Sequence, residues 1–173
     1  RTDLARLLGC ALSGGAIAVS ATQATSVPCV WAAGECTGVK GDPAGEVEGT
    51  IAGATAAGDE APSRTLARAR EAGIAFGRAL DVAFAPRPEL GARITDDTII
   101  CRCEDVRAGT LRPDWSGRQA KLWSRAGMGI CQGTVCGLAG AAWHGWEPGS
   151  VRPPLGAPLL GEWASHLAAP RQD

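Results

Sequence analysis

The chain has 173 residues, and its 17 Lys and Arg against 18 Asp and Glu leave a formal net charge of -1. That length holds one medium domain or two small ones, and that charge balance offers no electrostatic footprint for nucleic acid or an anionic lipid surface. With 24 Gly, two Phe and no Tyr, the apolar content comes largely from Ala. Such a core packs backbones closely but buries little area per residue, so a cofactor or partner chain is expected to help stabilise it.

Asp3 to Gly9 reads as a short helix with Leu4, Leu7 and Leu8 on one face. Leu7-Leu-Gly-Cys10 resembles a lipoprotein cleavage box. However, Asp3 and Arg6 interrupt the segment, Gly14-Gly15 breaks the apolar run, and the run falls far short of the roughly 20 residues of a membrane span, so neither anchor nor span is expected. Ile17 to Val19 is a brief strand candidate and Thr25 to Pro28 a turn. Val30 to Ala33 is a short apolar strand that runs into Gly34-Glu-Cys-Thr-Gly38. A small-residue helix follows from Gly45 to Ala57. Its Gly45, Gly49 and Gly53 recur every four residues, a row that permits close approach to another backbone or a cofactor. Strand, Gly-rich turn with an acid, and helix N-terminus is the geometry that holds a phosphate or sugar hydroxyl in α/β cofactor folds. The same residues also read as a plain loop and core helix.

Gly58 to Pro62 is a linker. Ser63 to Phe84 is an amphipathic helix with Leu66, Ile74 and Leu80 inward and Arg64, Arg68, Arg70, Glu71 and Arg78 outward; Pro86-Arg-Pro88 stops it. Ile99-Ile100 leads into Cys101-Arg-Cys103, after which Glu104 and Asp105 read as the first turn of a short helix to Leu111. Arg118 to Arg125 is a second helix. A third starts just after Cys131 and runs to Ala142, and a tail closes on a short helix around Glu162 to Leu167.

Four of the seven cysteines form a C-x-C pair, Cys101 and Cys103, and a C-x4-C pair, Cys131 and Cys136. An odd count without regular spacing argues against a secreted disulfide scaffold and for a reducing, cytoplasmic setting. Three readings stand side by side: a [2Fe-2S] cluster on four thiolates, a structural zinc on the same four, or buried thiols without metal. A C-x-C pair is a tight chelate for zinc, which prefers wider knuckles, whereas a two-iron cluster accepts it. Gly127, Gly129 and Gly133 permit backbone to approach sulfur, and Arg102, Arg107, Arg118, Lys121 and Arg125 can offset the negative charge of a cluster. Cys10, Cys29 and Cys36 read as small apolar residues, and His144 as a packing or surface residue. No Ser–His–Asp arrangement, P-loop or paired-carboxylate site is evident.

Ile100-Cys-Arg-Cys-Glu104, Arg125-Ala-Gly-Met-Gly-Ile-Cys-Gln-Gly-Thr-Val-Cys-Gly137 and Arg152-Pro-Pro-Leu155 together resemble the bacterioferritin-associated-ferredoxin-type [2Fe-2S] domain. The version concerned lies at the C-terminus of FAD/NAD(P)-dependent oxidoreductases, among them the FAD subunits of opine oxidases, hydrogen cyanide synthase and D-hydroxyproline-type dehydrogenases. The resemblance covers Thr95 to about Leu160. Gln23 to Gly38 resembles the second FAD-contacting motif of the same flavoproteins, where the acid after Ala-Gly binds the ribityl chain. The chain departs from that pattern at Cys29, usually Gly, and at Lys40-Gly-Asp-Pro43, usually Gly-rich and less charged.

The resemblance implies an α+β chain: a partial α/β flavin-domain remnant over residues 1–60, a helix and linker over 61–94, a small, mainly helical (helix-turn-helix) iron–sulfur domain over 95–160, and a tail over 161–173. It implies that Cys101, Cys103, Cys131 and Cys136 ligate a [2Fe-2S] cluster, that Gly34 and Glu35 contact FAD, and that the partners are other subunits of a flavin-dependent dehydrogenase. The strand, G-x-G-x-x-G turn and helix that open these flavoproteins have no counterpart in the sequence. With Arg1 as first residue, the chain is expected to be the C-terminal piece of such a subunit. It would then relay electrons rather than catalyse by itself, and hold FAD only with the remaining part or a partner. The reading of a different class is a non-redox assembly module with a zinc-bound or empty four-cysteine site.

Overall fold

The computed structural model describes residues 1–146 and, beyond them, Val151, Leu155, Gly161 and Ala164. The tail helix expected at Glu162 to Leu167, apart from Ala164, and the Arg152–Pro154 string lie outside the described residues. The described chain mixes helices with two small antiparallel sheets, an α+β composition. It divides into two compact units, Arg1–Ala85, with which the described positions from Val151 onward group, and Pro86–Ser150.

In the first unit, helix α1 (Asp3–Leu7) precedes a two-residue hairpin of β1 (Leu12–Ser13) and β2 (Ala16–Ile17), turned by Gly14 and Gly15 at positive φ. Val30 to Ala33 is not a strand; a single bridge, Ala24 to Trp31, is all the pairing it makes. A small core forms from Ala5, Cys10 and Ile17, with Val19, Val27, Val30, Ala32 and Cys36 against it. Helix α2 (Asp42–Ala56) starts three residues before the expected Gly45, because Gly41 at φ 79 breaks the chain ahead of it and Pro43 suits the first turn.

The expected single helix over 63–84 is two, α3 (Ala61–Thr65) and α4 (Ala67–Ala83), and α4 packs on α2. Its own glycines allow that approach. A Cβ on Gly73 would come within 2.6 Å of the Ala44 Cβ, and one on Gly77 within 2.5 Å of the Val39 carbonyl oxygen. Of the row on α2, Gly49 and Gly53 meet nothing, and Gly45 lies against the Gly34 Cα. Arg70, expected outward, faces inward. Its guanidinium donates to the Ser20 carbonyl oxygen and, with the amide of the fully buried Gln23 turned to suit, to Gln23.

In the second unit, α5 (Glu89–Ala92) leads to β3 (Ile99–Cys101), which pairs with β4 (Val106–Arg107). The helix expected over 104–111 does not form. Asp105 at φ 51 turns the chain back so that Val106 pairs with Cys101. Helices α6 (Gly117–Ser124) and α7 (Cys136–His144) complete the unit. Its core is Ile100, Cys101, Val106, Leu111, Ala120, Ala126 and Cys136, flanked by Trp115 and Trp146. His144 stacks on Trp146, whose indole N–H donates to the Trp115 carbonyl oxygen. Among the described residues no helix is long and apolar enough to cross a membrane.

Candidate sulfur centre and acidic turn

The two cysteine pairs lie in the second unit, and local geometry brings the loops that carry them against each other. Regular alternation along β3 would put Cys101 on the same exposed face as Ile99. The pairing slips between these two residues, and that irregularity rotates Ile100 and Cys101 both inward, leaving Cys101 1 % exposed. Cys103 sits in the exposed turn that follows.

Helix α6 sets the second half. Ser116 and Gln119 form a reciprocal capping box at its start, and Arg125 closes it at φ 67. Arg125 also donates to the Glu104 carboxylate at 2.7 Å, tying the helix end to the Cys103 turn, and that ion pair raises the pKa of the guanidinium. From there Gly127, at φ 79, donates its N–H to the Cys101 sulfur at 3.5 Å. Gly127 and Gly133 lie backbone to backbone, and a Cβ on Gly129 would collide with the Cys103 Cβ. Gln132 and Gly133, both at positive φ, hold residues 131–135 in turns, so α7 begins at Cys136, not after Cys131 as expected.

Across the pairs, buried Cys101 interacts electrostatically with buried Cys136, and exposed Cys103 with half-buried Cys131. Burial pushes the Cys136 thiol up to about 11, and the Cys101 thiol beside it, with the charges of Cys101 and Cys131, adds to the rise. Cys131 moves the other way, drawn down by the Val135 amide, the Cys103 thiol and the Gly133 and Thr134 amides. In the metal-free chain at pH 8, iodoacetamide should therefore label Cys131 at least tenfold faster than Cys136, on the order expected when a thiolate competes with a buried thiol. Equal labelling of the two positions, resolved by fragment-ion mass spectrometry, would refute that order.

Among the described residues, no group of three or more His, Cys, Asp or Glu side chains converges on a single-ion site. Backbone amides are directed at the sulfurs of Cys101 and Cys131. Of the basic residues near the pairs in sequence, Arg107 is paired with Asp97 and Arg125 with Glu104, whereas Arg102, Arg118 and Lys121 are exposed.

In the first unit Gly34 stands at φ 82 and ψ -159, a conformation suited to glycine, and opens a one-turn 3-10 helix, Glu35–Thr37. Its N–H donates to Glu48 Oε2 at 2.9 Å, and its carbonyl accepts from the Thr37 amide and hydroxyl. Both backbone groups of Gly34 are thus engaged within the protein, while the Glu35 side chain is exposed. Sequence reasoning missed Glu48, 1 % exposed on α2. Burial pushes its carboxyl up, but bonds from Lys40, Thr37 and Gly34 outweigh burial and leave it below the usual range. The available signal was its spacing from Ala44 and Ile51, which places it on the buried face of α2.

No family model matches the chain, and no solved structure does. Among curated proteins it is 33 % identical, over 94 % of its own length, to the A subunit of opine oxidase from Rhizobium meliloti (strain 1021), of which it spans 41 %. It is 34 % identical to the A subunit of opine oxidase from Agrobacterium tumefaciens over 62 % of the chain and 24 % of the relative. To hydrogen cyanide synthase subunit HcnB of Pseudomonas aeruginosa it is 32 % identical, over 66 % of the chain and 28 % of the relative. The chain thus spans less than half the length of the curated relatives it matches, and those relatives support placing it with a family of oxidoreductase subunits.

Proposed function

We propose that this chain is the electron-relay portion of a flavin-dependent amine or amino-acid dehydrogenase subunit of the opine-oxidising type. In this reading Cys101, Cys103, Cys131 and Cys136 ligate a [2Fe-2S] cluster in a domain of the bacterioferritin-associated-ferredoxin type. The observation that supports it is the meeting of the two motifs, where the Gly127 amide is directed at the Cys101 sulfur and Gly129 lies against Cys103.

When bound, such a cluster accepts and passes on one electron at a time, which suits a flavin that collects two. The inner thiols, Cys101 and Cys136, shield the centre from water, since both are buried in the core. The amides at Cys101 and Cys131 offset negative charge on sulfur. Cys103 and Cys131, nearer the surface, shorten the path to a partner.

Glu35, exposed on its turn, is the residue proposed to meet the ribityl hydroxyls of FAD, with Gly34 shaping the turn. The partners would be the other subunits of the dehydrogenase, and the free thiols suit the reducing cytoplasm. Protein purified without oxygen should be brown, contain about two irons and two sulfides per chain, and lose its visible charge-transfer bands on dithionite. A colourless chain with one zinc per molecule would overturn the reading in favour of an assembly module.

A further inference from the structure

Glu48 is an acid buried in a small-residue helix, and everything it bonds belongs to one loop. Oε2 accepts from the Gly34 amide at 2.9 Å and from the Thr37 hydroxyl at 2.8 Å, and Oε1 accepts from Lys40 Nζ at 2.5 Å. Lys40 Nζ also reaches the Thr37 hydroxyl at 2.7 Å, and its side chain is 12 % exposed. The chain between is confined on both sides. Gly45 of α2 lies against the Gly34 Cα, and Gly77 of α4 against the Val39 carbonyl and the Lys40 stem. Glu35, inside this clamped loop, takes no part in the network and faces solvent.

A buried carboxylate and ammonium are costly to desolvate, and mutual pairing offsets that cost only with good geometry. Packing alone would be served as well by apolar residues at both positions. What the ion pair adds is a fixed direction for the loop, because each oxygen of Glu48 is committed to a different point along residues 34–40. We propose that Glu48, with Lys40 as its counter-charge, is the positioning residue for the Glu35 turn: it fixes where the Glu35 carboxylate points and presents that carboxylate, already ordered, to a polyhydroxyl ligand. The ligand's identity as the ribityl chain of FAD rests on the reading above; the clamp itself does not.

The test uses the full chain and two variants, E48Q and the double variant K40M/E48Q. The double variant leaves no orphan ammonium and so keeps the experiment interpretable should E48Q fold poorly. Hydrogen exchange at the Gly34 and Thr37 amides should accelerate about tenfold or more in both, while amides in the middle of α4 change by less than about threefold. In parallel, FAD is titrated by flavin fluorescence into the chain joined to the dinucleotide-binding part it is expected to need, and both variants should bind it at least about fivefold more weakly than the parent, whereas the conservative K40R should keep parent-like binding and slow exchange. Unchanged exchange at Gly34, a rise spread evenly through α2 and α4, or undiminished FAD affinity despite a loosened turn would each overturn the proposal. Should the joined parent protein leave FAD fluorescence untouched, the flavin reading fails, and the exchange pattern by itself upholds or rejects the clamp.

Discussion

On the proposed reading, a Cys136→Ser chain should be isolated colourless, with iron below roughly a fifth of the parent protein, because the cluster would lose one of its four thiolates at a buried position. The residue is 3 % exposed and lies in the core cluster with Cys101, so no water or neighbouring side chain has ready access to replace it. A serine hydroxyl there is harder to ionise than the thiol, which burial already holds at about 11. Metal binding is also folding free energy in a small unit, so the thermal midpoint of the second unit should fall along with the colour. Cys103→Ser should be milder, retaining part of the iron with shifted bands, since its exposed site admits water as a substitute ligand. Iron and sulfide analysis beside a visible spectrum checks both variants. Full colour in Cys136→Ser would remove that residue from the ligand set.

Gly129→Ala should be nearly as damaging through sterics alone. Its Cβ would collide with the Cys103 Cβ and crowd Cys103 backbone atoms at 3.4 Å, so backbone rather than a flexible side-chain tip must move. Overpacking of this kind typically costs about 1–3 kcal/mol, and here the movement would part the two sulfur-bearing loops. A lower denaturation midpoint with loss of iron is expected, whereas the exposed neighbour Ile130→Ala should leave both nearly unchanged. A Gly129→Ala chain as stable and as brown as its parent would mean the loops do not meet as described.

The close approach of the two cysteine loops was legible because its requirements are local. Cysteine spacing marks the ligand candidates, and Gly127, Gly129 and Gly133 mark where a side chain cannot fit. The helix expected over Arg118 to Arg125 forms one residue earlier, as Gly117–Ser124. What could not be read depended on left-handed backbone at single residues and on partners distant in sequence. Glu104 and Asp105 looked like a helical first turn, yet Asp105 takes a left-handed conformation because Val106 has Cys101 to pair with. The start of α7 was misplaced because Gln132 and Gly133 both turn left-handed ahead of it. Arg70 looked like one more outward cation until Ser20 and Gln23, fifty and forty-seven positions away, supplied its acceptors. Glu48 was not singled out: it is one of three acids on α2, with Asp42 and Glu46, and is set apart only by its buried position beside Lys40.

The capped helix α6 also bears on how such chains can drift in length. Adding one residue between Gly117 and Ser124 would rotate everything downstream by about 100 degrees, turning Ala120 or its successor out of the core and carrying the Gly127 amide away from Cys101. The exposed bend at Arg112 to Asp114, which crosses no core contact, can absorb insertions without that rotation. Gaps and additions among homologous sequences should therefore collect at the bend and spare the helix, as though the helix were a spacer of fixed gauge.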